Sequence, residues 1–224
     1  MRTSGATFRR TALRLAGLAA SLMALGTGQA QLGLPGLPPL PTPPPLPLPG
    51  GGGTSTQTVT GEASALSAVV LGNATSLAST GTLGSGGDPL GTGLGAGSIA
   101  GLGSAEALHA VTMEWPDQVV SESSLANLVM TVAGTGIAAD FILSQARAVS
   151  GSGAQGLSTI EGLSIGGSPI SPTGAPNQAI SLPGLNVILN EQVPSAGGIV
   201  VNALHVTTLD GLINVVVGSS RAGI

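Results

Sequence analysis

Val187-Ile188-Leu189-Asn190-Glu191-Gln192, followed by Val201-Asn202-Ala203-Leu204-His205-Val206, decides the fold. Both runs carry the period of two that an extended strand requires. In the first, Val187, Leu189 and Glu191 fall on one face and Ile188, Asn190 and Gln192 on the other. The second extends from Ile199 to Thr207, with Val200, Asn202, Leu204 and Val206 alternating against Val201, Ala203, His205 and Thr207. Pro194 ends the first run and Gly197-Gly198 supplies the connection, so the pair reads as a β-hairpin. Just upstream, Pro176 pushes Ala175 out of the helical region and Asn177 suits a tight turn, so the chain reverses before Gln178.

Outward from the hairpin, the same short-strand spacing recurs. Leu212 to Val217 is almost entirely apolar and belongs at the centre of a sheet. Leu163-Ser164-Ile165 runs into a Gly166-Gly167 turn. Ile137 to Val149 is rich enough in alanine for a helix, but Ala139, Phe141, Leu143 and Val149 alternate with Asp140, Ser144 and Ala148, and the reading is a strand. Ala105 to Met113 alternates too and ends at Trp115-Pro116-Asp117, where Trp115 is expected to plug one end of the core. Short strands divided by glycine turns predict an all-β fold, a β-sandwich of short antiparallel strands with Gly-rich loops. From Thr54 to Gly103 the side chains are small and alike, so register is weakly specified; residues 54–103 are expected to be less ordered, with Gly84 to Gly103 a long loop or ragged edge.

Two segments precede this domain. Residues 1–30 have the form of a secretory signal peptide: arginines up to Arg14, an apolar run from Leu15 to Leu25, and Gly28-Gln29-Ala30 as a small-residue cleavage site before Gln31. Arg9-Arg10 hints at the twin-arginine route, but Thr11-Ala12-Leu13 lacks the aromatic that usually follows, and the general secretory route is the reading. Residues 31–53 form a Pro/Gly-rich linker, with nine of the sixteen prolines between Pro35 and Pro49, a polyproline II spacer jointed at Gly50 to Gly53. Residues 54–224 are then one all-β domain. Once the leader is removed, Arg147 and Arg221 stand against ten acids, a formal charge of −8. Such a surface repels phosphate backbones and anionic lipids, so no nucleic acid is expected as a partner; the apolar run Leu15 to Leu25 is short of the ~20 residues a spanning helix needs, and no membrane span is expected after signal cleavage.

The hairpin, together with Gly174-Ala175-Pro176-Asn177-Gln178 and Leu182-Pro183-Gly184, resembles the choice-of-anchor P family of bacterial surface or secreted domains. The resemblance covers roughly Thr54 to Ile224 and is sharp from Ala138 onward. It implies a surface or extracellular setting and carries no biochemical activity with it. Members commonly end in a sorting or anchoring tail, whereas here the last residues are Ser219-Ser220-Arg221-Ala222-Gly223-Ile224; the expectation is release, or retention through the N-terminal region.

Several chemistries can be weighed directly. Without cysteine there is no disulfide, thiol nucleophile or thiolate metal ligand, and without lysine no lysine–asparagine crosslink. Beyond the leader only Trp115 and Phe141 are aromatic, too few for a sugar-stacking or base-stacking face. Gly162-Leu163-Ser164-Ile165-Gly166 matches a nucleophile elbow, but that motif needs a helix after its turn, and nothing following Gly166 has helical character. Gly151-Ser152-Gly153-Ala154-Gln155-Gly156 matches a dinucleotide loop, yet runs into a strand-like segment. His109 and His205 would need adjacent strands to share a metal, and no metal or other cofactor is expected. They lie in similar hexads, Ala107-Leu108-His109-Ala110-Val111-Thr112 and Ala203-Leu204-His205-Val206-Thr207-Thr208, read as coincidence between two strands of like composition. Asn177, Asn190, Glu191, Gln192, Asn202 and His205 are the candidate binding residues. The preferred reading is that they satisfy turn and edge backbone groups; a recognition surface is the alternative. The expected function is non-catalytic: an exported surface or matrix module, secreted or held in the periplasm or at the cell surface, acting in adhesion, envelope structure or assembly through self-association or a surface or matrix protein partner. A secreted enzyme or small-ligand binder is the alternative.

Overall fold

The computed structural model describes residues 58–224, so the leader 1–30 and the linker 31–53 lie outside the described residues. The described chain is all strand and turn, without a helix. It begins with β1 (Thr60–Val70), β2 (Asn73–Ser79) and β3 (Leu83–Gly84), and crosses to a second layer for β4 (Leu90–Ile99), β5 (Gly103–Trp115), β6 (Gln118–Val132), β7 (Thr135–Val149), β8 (Gly153–Glu161), β9 (Ser164–Ile165) and β10 (Ser168–Pro169). It then returns as β11 (Gln178–Leu182), β12 (Leu185–Ser195), β13 (Gly198–Thr208) and β14 (Ile213–Gly223). The first sheet has the order β11-β12-β13-β14-β1-β2, with β3 beside the start of β1; the second has the order β10-β9-β7-β6-β5-β4, with β8 along the rest of β7. Every pairing is antiparallel, and the last strand, β14, lies between β13 and β1, which joins the two ends of the described chain.

The turns explain the meander. Leu71-Gly72 and Ala133-Gly134 are two-residue loops with both residues at positive φ, the geometry whose twist matches that of the flanking strands. Pro183-Gly184 places proline first and a glycine of φ 79° second, as a type II turn requires. The stretch Gly84 to Gly103, expected to be a long loop or ragged edge, contains the ten-residue strand β4 at the edge of its sheet. Its alternate glycines are weak strand formers alone, but its ladder with β5 runs from Leu90↔Thr112 to Ile99↔Gly103.

Alternation holds along the strands but changes phase once. β13 buries Val201 and Ala203, then Leu204 and Val206; β1 buries Ala63 and Ala65, then Leu66 and Ala68. β6 buries Val119, Ser121, Ser123 and Leu125, then Leu128, Met130 and Val132; β7 buries Ile137 and Ala139, then Ile142, Ser144, Ala146 and Ala148. The slip runs across each sheet at one height. In the first sheet Leu189↔Leu204 and Glu191↔Asn202 are partners while the pair between them is skipped, and the same gap lies between Leu66↔Val217 and Ser64↔Ser219. Residues at the line take left-handed backbone: Ala78 (φ 49°), Asn190 (φ 49°) and Gly218 (φ 64°) in the first sheet, Ala107 (φ 48°), Asn127 (φ 50°) and Gly162 (φ 63°) in the second. Outside glycine this conformation costs roughly 1–2 kcal/mol, least where the side chain is short or can bond locally, as in asparagine. The two sheets slip oppositely. Ala203-Leu204, Ala65-Leu66 and Val217-Gly218 are successive buried residues, whereas Glu106-Ala107, Ala126-Asn127 and Asp140-Phe141 are successive residues turned outward.

The slip corrects several faces expected from simple alternation. Asn190 is buried with Val187 and Leu189, and Glu191 points out; Leu204 and Val206 are core, while Asn202 keeps the outer face with Val200. Phe141, Leu143 and Val149 lie on the outer side of β7. Trp115 does not plug the core: it follows His109, Val111 and Met113 on the outer face of β5 and is 41% exposed. β14 is central as expected, with Val215 and Val217 fully buried.

On one side of the line lies a large apolar cluster containing Leu66, Leu108, Leu128, Ile142, Leu189 and Leu204. On the other lies a small one of Val59, Val119, Ala146, Ala148, Ile199, Val201 and Ala222. Buried hydroxyls mark the seam: Ser144 Oγ lies 2.9 Å from Ser123 Oγ and 2.7 Å from Ser220 Oγ, and Ser123 Oγ donates to Ser219 O at 3.1 Å, which joins the two sheets. Each hydroxyl would be costly at this depth without these bonds.

The slip makes a stability prediction. Ala107→Gly, at an exposed left-handed position, is expected to raise stability by about 0.5–1 kcal/mol, because backbone relief exceeds the entropy gained by the unfolded chain. Gly218→Val, whose Cβ would press on Ala203 and Ile142, is expected to lower it by about 2 kcal/mol or more. Urea unfolding midpoints read both changes, and equal effects at the two sites would contradict the slip.

Candidate functional site

The first sheet brings the six candidate residues into two groups. On its outer face, β12, β13 and β14 set Glu191, Asn202 and Ser219 in one cross-strand row, with Ile188, His205 and Val216 in the next row across the slip. Because the slip removes one residue of offset, His205 and Glu191 both face outward although their strands pair through Leu189↔Leu204. Glu191 Oε2 accepts hydrogen bonds from Asn202 Nδ2 at 2.6 Å and from His205 Nδ1 at 2.8 Å. Asn202 Oδ1 accepts from Ser219 Oγ at 2.8 Å, and His205 Nε2 lies 3.0 Å from Asn214 Oδ1. The histidine and glutamate side chains are 19% and 15% exposed. The imidazole lies between the Glu191 carboxylate and the Asn214 carboxamide, and the network links three strands.

The second group closes an edge. β11 pairs with β12 only as far as Gln178↔Leu189, so the backbone of β12 beyond that point needs other partners. Asn177, at φ 58°, takes the place of a strand: its N–H donates to Asn190 O at 2.8 Å and its Oδ1 accepts the Gln192 N–H at 2.8 Å. Asn190 Nδ2 donates to Gly174 O at 3.0 Å. Gln192 Nε2 donates to Asn190 Oδ1 at 3.1 Å and, across the sandwich, to Gly156 O of β8 at 3.0 Å. Thr173 donates twice to Gln178 Oε1, which fixes the approach to the turn.

Asn214, Ser219 and Thr173 belong to these networks and escape a reading of the hairpin alone. The signal for Asn214 and Ser219 is their place on β14, which becomes visible only once β14 is set beside β13. His109 lies on the outer face of the second sheet and His205 on that of the first, so the two do not meet. Among the described residues no group of three or more His, Cys, Asp or Glu is placed to hold a metal ion. Ser164 sits in β9, followed by a turn into β10, without the helix that a nucleophile elbow requires. Among the described residues the hydrogen-bond partners of the His205 ring are Glu191 and Asn214.

Two shallow depressions adjoin the clamp on the outer face of β14, β1 and β2. One, of about 300 Å³, is lined by Val69, Ala74, Asn214 and Val216, and one of about 310 Å³ by Glu62, Ser64, Ser79 and Arg221; Ser67 and Ser76 border both. Small side chains create them, and neither is an enclosed pocket with converging polar groups. The arrangement is suited to holding strands and presenting a surface.

A double-mutant cycle tests the clamp. Glu191→Ala and His205→Ala are each expected to destabilise by about 1–2 kcal/mol, with a coupling energy of about 1 kcal/mol between them, read by urea unfolding. Additive effects would separate the two residues. Comparisons with protein-family models, with curated proteins and with solved structures found no match to this chain.

Proposed function

We propose that the chain is an exported, non-catalytic module of the cell surface or extracellular matrix that acts in adhesion, envelope structure or assembly. Three features of the sequence support export and display: the signal-like leader, the proline-rich spacer, and the resemblance to choice-of-anchor P domains. The observation that carries assembly is the open edge of the second sheet. β4 ends that sheet, is ten residues long, contains no charged residue and no proline, and its outer backbone groups have no strand partner among the described residues. Edge strands are normally guarded by lysine, proline, bulges or a covering loop, because an unguarded edge accepts a further strand. The strand that fits is an extended, uncharged segment of another protein at the surface or of a second copy.

The test is sedimentation and electron microscopy of the purified chain from Gln31 onward, with Gly95→Lys as the control. A Cβ at Gly95 meets nothing within 4 Å, so the lysine adds a charge to the edge without disturbing the fold. Concentration-dependent association, or capture of an extended strand, is expected for the wild type and is expected to fall about tenfold in the variant. A protein that stays monomeric and takes up no strand at high concentration would sink the assembly reading. Fractionation of the host with intact-mass analysis tests export separately, and an unprocessed cytoplasmic chain would overturn it.

A further inference from the structure

The two ends of the sandwich differ in chemistry. At the end enclosing the large apolar cluster, three hairpin turns of the first sheet are tied together: the Leu71 N–H donates to Leu212 O at 2.8 Å, and the Leu209 N–H donates to Gly184 O at 3.0 Å. From this platform Leu71, Leu209 and Leu212 project with 68%, 74% and 50% of their surface exposed. The neighbouring turns of the second sheet, Ala100-Gly101, Ala133-Gly134 and Gly166-Gly167, carry no charge; Leu102, Val132 and Ile165 just inside them join the same core cluster as Leu185. The loop acids Asp88 and Asp117 and the edge residue Glu114 lie at the other end, where β1 also begins.

Leu71 is the second observation. It occupies the first position of a two-residue turn at φ 50°, where glycine, asparagine or aspartate is normal and a bulky side chain is strained. Its side chain gains no burial in return. Strain retained at an exposed apolar residue points to a role outside the fold.

We propose that Leu71, Leu209 and Leu212 insert into an uncharged lipid surface, so that the module stands end-on to a membrane. Three side chains on separate turns fall far short of the roughly 800 Å² per partner that a stable protein interface buries. A lipid surface needs no complementary shape, and rigid apolar tips can seat about 5–10 Å into the headgroup boundary. Charge selects the kind of lipid. Asp210, between Leu209 and Leu212, has its carboxyl held below the usual range by the Thr208 hydroxyl and the Leu212 N–H, and with the acidic surface it disfavours anionic headgroups.

The experiment is flotation of the chain from Gln31 onward, which contains the whole described sandwich, with phosphatidylcholine vesicles. The variant is Leu71→Asn, Leu209→Ser and Leu212→Ser combined; Asn suits the left-handed turn position, so folding is preserved and a thermal melt verifies it. Wild type is expected to float with the vesicles, and the triple variant about tenfold less. Phosphatidylglycerol is expected to weaken binding at low salt. Trp115, the single tryptophan, lies at the far end of β5, so brominated lipid is expected to leave its fluorescence unquenched. Absence of wild-type flotation, equal flotation of the triple variant, a preference for anionic vesicles, or quenching of Trp115 would each overturn the proposal. Leucine-dependent dimers without vesicle binding would overturn it in favour of a second copy. Gly95→Lys is expected to float like wild type, which separates this inference from the edge-assembly reading.

Discussion

A left-handed residue inside a strand turns two successive side chains to the same face, and it cannot do so alone. A neighbour that kept unbroken alternation would, from that height onward, present its polar set to the core. The long strands of this sandwich therefore change phase together, at Asn190, Ala203, Gly218, Ala65 and Ala78 in one sheet and at Ala107, Asn127 and Asp140 in the other. The two lines are complementary, since paired inward residues in the first sheet answer paired outward residues in the second. Once this line is given, the inward and outward faces of β1, β6, β7 and β13 follow from parity on either side of it.

The core is divided by the same line. Large aliphatic side chains fill one half, while alanine, valine and serine fill the other, where Ala146, Ala148, Ser121 and Ser144 are wholly buried. Small side chains let the layers approach closely: a Cβ on Gly61 would collide with Thr112 Oγ1 of the facing sheet. Such a core gains less from apolar burial per residue than one built on aromatics, and it depends more on backbone ladders and on satisfied hydroxyls. The serine chain through Ser123, Ser144 and Ser220 is thus a structural seam, polar because the phase change leaves small residues facing one another there.

Sequence periodicity was enough for the fold class, the β12–β13 hairpin, the central place of β14 and the strand at Ile137 to Val149. It failed at faces. Alternation read from Val187 through Gln192 puts Glu191 on the face of Val187 and Leu189 and Asn190 on the other, because a period of two carries no sign of a single left-handed residue; the asparagine itself is the available clue. Trp115, expected to plug the core, instead lies on the outer face of β5, where a large apolar residue at a strand end can sit. β4 was missed because glycine-rich composition speaks against a strand locally, while its ladder with β5 is a tertiary gain. Of the six candidate residues, all lie in two networks, but their partners Asn214, Ser219 and Gly156 come from strands whose adjacency no local pattern encodes. The similar hexads around His109 and His205 each set leucine inward and histidine outward just past the phase change, but on different sheets, with Ala107 exposed and Ala203 buried.

The sides of the sandwich are finished unequally. Where β11 stops, Asn177 bonds the exposed backbone of β12 as a strand would, and Gln192 reaches across to a carbonyl of β8, so that side is closed by five carboxamide bonds drawn from Asn177, Asn190 and Gln192. On the opposite side β4 ends its sheet with no comparable cover among the described residues, and its glycines leave the backbone accessible from the face as well as from the edge. Charged side chains are scarce in this protein, at 7% of residues, and none lies on β4. If edge pairing were merely a hazard to this fold, a single lysine in β4 would remove it at almost no cost in stability. Under the proposed assembly role, the open, uncharged edge of β4 is the surface left for a further strand.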